Sequence, residues 1–103
     1  MATSEPTVTL NQSKHRFELR TDGKLSMVVF EQVDDTTLAL THTEVYPDLE
    51  GQGIGSNLVK QVLEYIGEHN LKIVPLCPFV ATYLKRHPDW QRVVSNQYDE
   101  TDF

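Results

Sequence analysis

The segment Glu50-Gly51-Gln52-Gly53-Ile54-Gly55-Ser56 places three glycines at alternate positions, between a strand-like stretch ending near Val45 and an amphipathic stretch running to about Glu68. Glycine lets a backbone approach a ligand with no Cβ in the way, and the first turn of a helix offers unpaired N–H groups backed by the positive end of its dipole. Such a junction can hold a phosphate; the same glycines can equally do no more than build a sharp strand-to-helix turn. Upstream, His42 and Glu44 stand at i and i+2, a strand spacing that lets both reach one pocket and pass a proton. They also read as a satisfied strand histidine and a solvated charge. Downstream, Cys77 precedes a helix start, where the dipole favours a thiolate nucleophile, although free cysteine also serves as a small buried hydrophobe.

The glycines do not match the commonest phosphate loops. No lysine follows them where an ATP-binding Gly-x-x-x-x-Gly-Lys-Ser/Thr loop requires one. In a dinucleotide fingerprint Ser56 would occupy the third glycine, and the acidic residue needed about twenty positions on is replaced by the apolar Ile73 to Leu76.

With 103 residues the chain is long enough for one small domain and one site, and its net charge of −6 makes a nucleic-acid backbone a poor partner. A single cysteine permits no internal disulfide, and with His15, His42, His69 and His87 at no close ligand spacing no metal is implied. No charged-then-apolar leader opens the chain and no run of about 18 apolar residues could span a bilayer, so the expectation is a soluble cytoplasmic protein with no membrane partner. A monomer is compatible with this pattern.

Residues 1–7 read as a loose leader and 95–103 as a polar acidic tail, leaving 8–94 as the domain. Arg16 to Arg20 alternates as a half-buried strand, Asp22-Gly23 turns, and Leu25 to Val33 returns, with Met27-Val28-Val29-Phe30 expected to be covered on both faces. Thr37 to Tyr46 gives a third strand, with Leu38, Leu40, His42, Glu44 and Tyr46 on one face and Ala39, Thr41, Thr43 and Val45 on the other. From Ile54 the period becomes helical through Leu58, Val59, Val62, Leu63 and Ile66. Leu71 to Pro75 is a strand made parallel by that crossover, and Phe79 to Arg86 is a second helix stopped by His87-Pro88, with Phe79 paired to Tyr83. Gln91 to Val94 is expected to add a last edge strand.

This order of elements resembles the GCN5-related N-acetyltransferases, whose Gln/Arg-x-x-Gly-x-Gly/Ala motif falls on Glu50 to Gly55. The likeness spans roughly Lys14 to Val94 and is closest to the miniature YjdJ-type branch, through His42-Thr43-Glu44-Val45, Glu50 to Val59 and Pro75-Leu76-Cys77-Pro78-Phe79-Val80. It implies an α/β (α+β) fold, a minimal version in which a three-stranded antiparallel meander is followed by a βαβ-type parallel crossover with a splayed cofactor cleft. The cofactor implied is acetyl-CoA or coenzyme A, its pyrophosphate held by Gly51, Gln52, Gly53, Ile54, Gly55 and Ser56. The pantetheine arm would lie between Glu44-Val45-Tyr46 and Val74-Pro75-Leu76, with Val45, Tyr46, Pro75, Cys77 and Phe79 in contact.

Glu50 departs from the family's Gln/Arg, and a carboxylate beside a pyrophosphate repels it, so its side chain should point away. Acetyl transfer to an amine needs a base, a polarised carbonyl and a protonated leaving thiolate. His42 and Glu44 are the expected proton acceptors, a backbone N–H near Val45 the polariser, and Tyr83 the acid that the resemblance supplies, unless Tyr83 is simply a core aromatic stacked with Phe79. Cys77 would open a route through an acetylated enzyme. The short turn Thr21-Asp22-Gly23-Lys24 stands where larger relatives carry extra helices, so the groove for a small amine or protein acceptor should be open. A non-catalytic CoA-binding module and a protein-interaction domain are the rival readings.

Overall fold

In the computed structural model, residues 7–21, 23–49, 51 and 53–95 are described. Five strands form one sheet in sequence order: β1 (Thr9–Asn11), β2 (Arg16–Thr21), β3 (Lys24–Asp34), β4 (Thr37–Glu44) and β5 (Lys72–Pro75). The first four pair antiparallel and β5 joins β4 in parallel, because helix α1 (Ile54–Glu68) carries the chain back along the sheet between them. Helix α2 (Pro78–Arg86) follows.

The core lies on one face of the sheet. Phe17, Leu19, Val28, Phe30, Leu38, Leu40 and Ile73 meet Leu58, Val59, Val62, Leu63 and Ile66 of α1 and Val80 and Leu84 of α2 in a single buried cluster. The α1 stripe is completely buried, and each such side chain stabilises the fold by roughly 1.5–3 kcal/mol relative to exposure. Helix α1 ends where Asn70 takes a left-handed φ of 57°, so that Asn70 N–H donates to Gly67 O at 3.3 Å and Leu71 N–H to Ile66 O at 2.9 Å. Pro78 opens α2, where its missing N–H costs no helical bond, and the chain leaves at His87-Pro88.

Four expectations are corrected. Strand β1 precedes the expected meander and is tied down by Val8 N–H donating to Gln61 Oε1 at 2.8 Å; with three residues, its alternation is too short to register in the sequence. The run Met27 to Phe30 is buried only at Val28 and Phe30, with Met27 and Val29 half-buried on the other face. Residues Pro88–Val93 form a 3-10 helix, leaving only Val94 to bridge Ile73 in place of a last strand. A proline at the first position favours that helical turn over extension.

The fourth correction reaches the site. Val29 faces His42 and Phe30 faces Leu40, so Thr41 is an extra residue on β4, its hydroxyl donating to Val29 O at 3.3 Å. This β-bulge switches the faces of everything after it. Thr43, opposite Val28, turns to the core side with Leu38 and Leu40, while His42, opposite Val29, and Glu44, opposite Met27, turn to the outer face.

Candidate functional site

The site begins where β5 ends beside β4. Their pairing ends at Leu40 with Pro75, and one further bond, Cys77 N–H to Leu40 O at 2.9 Å, carries the chain into α2. Strand β5 ends at Pro75, while β4 runs on to Glu44 paired with β3. The short 3-10 helix Pro47–Leu49 and the glycine turn then deliver the chain to α1.

That turn has the backbone its sequence requires. Gly51 and Gly53 have φ of 83° and 77°, the left-handed region that penalises a Cβ, and Gly53 caps α1 with no side-chain hydrogen bond. The first helical bond is Asn57 N–H to Gly53 O at 3.1 Å, which leaves the preceding N–H groups without helical acceptors, and no acidic side chain occupies the first turn. Gly55 is needed for a different reason: a Cβ there would lie 2.6 Å from Phe79 Cζ and 3.3 Å from Val45 Cγ2.

These groups surround a cleft of about 430 Å³. Gly51, Gly53, Ile54, Gly55 and Ser56 form one wall; Thr43, Val45 and Phe79 form the other. A second cleft of about 420 Å³ adjoins it, sharing Ser56 and Phe79 and bounded by Pro78, Thr82, Tyr83, Arg86 and His87.

Of the residues expected at the site, seven therefore line the first cleft: Val45, Gly51, Gly53, Ile54, Gly55, Ser56 and Phe79. Gln52 and Glu50 lie outside the described residues. Pro75 is buried beside Leu40, and Tyr46 stands outside the cleft with Lys24 Nζ 5.8 Å from its ring centre. Cys77 is buried behind the wall, its Sγ 3.2 Å from Thr43 Oγ1. Thr43 is the lining residue that period-two reading sends to the wrong face; the bulge that turns it inward leaves no sequence signal in a strand of mixed Thr, His and Glu.

His42 and Glu44 remain together, Nε2 to Oε2 at 3.4 Å, on the outer face and more than half exposed. Tyr83 is found in the second cleft, stacked on His87 at 4.2 Å between ring centres rather than on Phe79. Burial pushes its phenol above the ordinary tyrosine range, and the charge of Glu64 adds to the shift, so Tyr83 keeps its proton at neutral pH.

Residues 16–93 match the family model described as GCN5-related N-acetyl-transferase. The chain belongs to this family. As a GCN5-related N-acetyltransferase it is also similar in fold to a GCN5-like protein of Staphylococcus aureus whose solution structure superposes with a TM-score of 0.65, at 30% identity over 85% of this chain and 86% of that one. Curated relatives include Protein NATD1 of Xenopus tropicalis, 29% identical over 76% of this chain and 73% of its own length. The human Protein NATD1 has the same identity over 76% of this chain and 71% of its own.

Proposed function

We propose that this chain binds acetyl-CoA and transfers its acetyl group to an amine acceptor. The observation that carries the reading is the uncapped, glycine-led start of α1 opening onto the cleft between β4 and α2. A pyrophosphate fits there: the left-handed Gly51 and Gly53 carry no Cβ, and the helix presents N–H donors to an anion. Ile54, Gly55 and Ser56 would hold it, and Thr43, Val45 and Phe79 would border the arm that leads along the end of β4.

When bound, acetyl-CoA supplies a thioester whose carbonyl carbon forms a bond to the amine nitrogen as the carbon–sulfur bond breaks. The residues divide the remaining work between the two faces of the sheet. His42, with Glu44 beside it, takes the proton lost by the amine, which arrives from the outer face of β4. A backbone N–H near Val45, just past the end of β4, polarises the carbonyl. Thr43, against the Cys77 thiol, would offer its hydroxyl as a hydrogen-bond donor to the departing sulfur, which leaves as a thiolate and takes its proton from water. Tyr83, from its place in the second cleft, borders the nucleotide end rather than the thioester. Alternatively the Cys77 thiol accepts the acetyl group first and passes it to the amine.

The test is release of free CoA thiol from acetyl-CoA across a panel of primary amines and lysine peptides, with intact-mass measurement before acceptor is added. Thiol release above a blank that tracks acceptor supports transfer, and a 42-dalton adduct on Cys77 assigns the covalent route. No release with any amine, together with equal thermal stabilisation by CoA and acetyl-CoA, overturns transfer in favour of a binding module.

A further inference from the structure

Among the described residues Ser26 is the one polar residue wholly removed from water. It stands on β3 opposite Leu19, on the sheet face that carries Val28 and Phe30 into the core. A hydroxyl in such a place is costly unless it is bonded. The bond it makes leaves the regular ladder: Ser26 Oγ accepts from Tyr46 N–H at 3.2 Å, two residues past the end of β4.

The register shows what this bond does to the chain. Phe30 N–H donates to His15 O at 2.9 Å beside the Arg16–Val29 pair, so the backbone groups of Phe30 and Val28 face β2 while those of Val29 and Met27 face β4. Their partners His42 and Glu44 therefore turn their own N–H groups towards β3. Two residues on, Tyr46 N–H keeps that direction, but the pairing stops at Met27 with Glu44 and the serine hydroxyl takes the bond instead. Pro47 then begins the 3-10 helix, holding Tyr46 extended and bringing no N–H of its own. Successive N–H groups of an extended chain point to opposite sides, so Val45 N–H is turned away from β3, to the side where β5 has given way to α2. It has no protein acceptor among the described residues, and Val45 borders the glycine cleft.

We infer that Ser26 is a positioning residue for acyl transfer: by fixing Tyr46 N–H to β3, its hydroxyl holds Val45 N–H, one residue earlier, aimed at the thioester carbonyl. This rests on the acetyl-CoA reading of the glycine cleft, in which an N–H near Val45 polarises that carbonyl. A donor stabilises developing charge best when its direction is set before the reaction, and an N–H on an untethered strand end must be reoriented first. Ser26 borders neither cleft, so it acts through the backbone and not on the ligand.

Two measurements on Ser26→Ala and Ser26→Thr test this, the second variant keeping the hydroxyl. In the free protein, amide hydrogen exchange at Tyr46 should be about tenfold faster in Ser26→Ala than in wild type and close to wild type in Ser26→Thr. With acetyl-CoA carrying carbon-13 at the carbonyl, the infrared carbonyl band of the bound ligand should lie below that of free acetyl-CoA in wild type and in Ser26→Thr. In Ser26→Ala the band should return most of the way to the free position while CoA affinity is unchanged, a separation that a general loss of stability would not produce. If Ser26→Ala does not fold, Ser26→Cys fills the serine's space with a weaker acceptor and carries the same expectation. A band in Ser26→Ala displaced as far as in wild type overturns the role of Ser26 and leaves the acetyl-CoA reading standing. A band lost equally in Ser26→Thr, or lost together with CoA affinity, also overturns it, because packing and not the hydroxyl then decides. Wild type that binds neither CoA nor acetyl-CoA overturns both readings.

Discussion

Thr43 Oγ1 lies 3.2 Å from Cys77 Sγ, joining the end of β4 to the cap of α2. The contact places a thiol that is 4% exposed directly behind a hydroxyl that borders the cleft. Removing the threonine side chain should uncover the sulfur: Thr43→Ala should react with a disulfide reagent about tenfold faster than wild type, because a thiol's rate follows its access as well as its thiolate fraction. Thr43→Val keeps the volume without the hydroxyl and should leave labelling slow. Fast labelling of wild type would show that Thr43 does not screen the thiol.

Gly55 and Phe79 form a pair in which each explains the other. A Cβ on Gly55 would come 2.6 Å from Phe79 Cζ, well inside any real contact. Gly55→Ala should therefore destabilise the fold by about 1–3 kcal/mol through overpacking, read as a lowered urea midpoint. Because the ring is itself partly exposed, Phe79→Ala should relieve most of that loss in the double variant. Additive losses would place the strain elsewhere. Gly53→Ala differs in kind: nothing lies within 4 Å of its Cβ position, so its cost, about 1–2 kcal/mol from the left-handed φ of 77°, should not be relieved by Phe79→Ala.

The contrast between these glycines shows what the sequence can and cannot convey. The turn into α1 was legible because alternate glycines meet a stripe, Leu58 to Ile66, whose 3.6 period has one structural meaning. The order β2-β3-β4-β5 followed from turn residues and one crossover. The orientation of His42 and Glu44 was not legible: period two counts residues from Leu38 and Leu40, and a single inserted residue at Thr41 reverses the answer without changing the pattern's appearance. Phe79 and Gly55 are 24 positions apart, and only the packed α1 and α2 bring them together. Local periodicity says nothing of such contacts, and for the same reason it gave no sign of the second cleft.

Glu18 supplies a pH test away from the cleft. Its Oε2 accepts from Arg16 Nε at 2.7 Å and from Asn11 Nδ2 at 3.1 Å, with Arg20 3.9 Å from Oε1. The Arg16 hydrogen bond, the largest cause, holds its carboxyl below the ordinary range despite an opposing desolvation, with Asn11 and the two arginine charges adding to the lowering. A folded-state pKa below the unfolded value means the ionised form stabilises the fold. That contribution is complete above the ordinary carboxylate range and is lost as pH falls through the depressed folded value. Glu18→Gln should thus lower the urea midpoint at about pH 7 and converge with wild type towards about pH 3. A gap that stays constant across that interval would mean the pair acts by packing and not by charge.

The bulge at Thr41 makes the outer-face pair a separable element. His42 and Glu44 have side chains 60% and 62% exposed, so His42→Ala and Glu44→Gln should shift stability by no more than about 0.5 kcal/mol. Neither borders the glycine cleft, so CoA affinity should also hold. If the amine is deprotonated from this face, His42→Ala should slow thiol release by roughly a hundredfold or more at saturating acetyl-CoA, the usual scale for loss of a general base. Glu44→Gln should slow it less, since the amide keeps a hydrogen-bonding group 3.4 Å from the imidazole. Variants that lose CoA binding and rate together would put these side chains back in the cofactor cleft, against the register of β3 and β4.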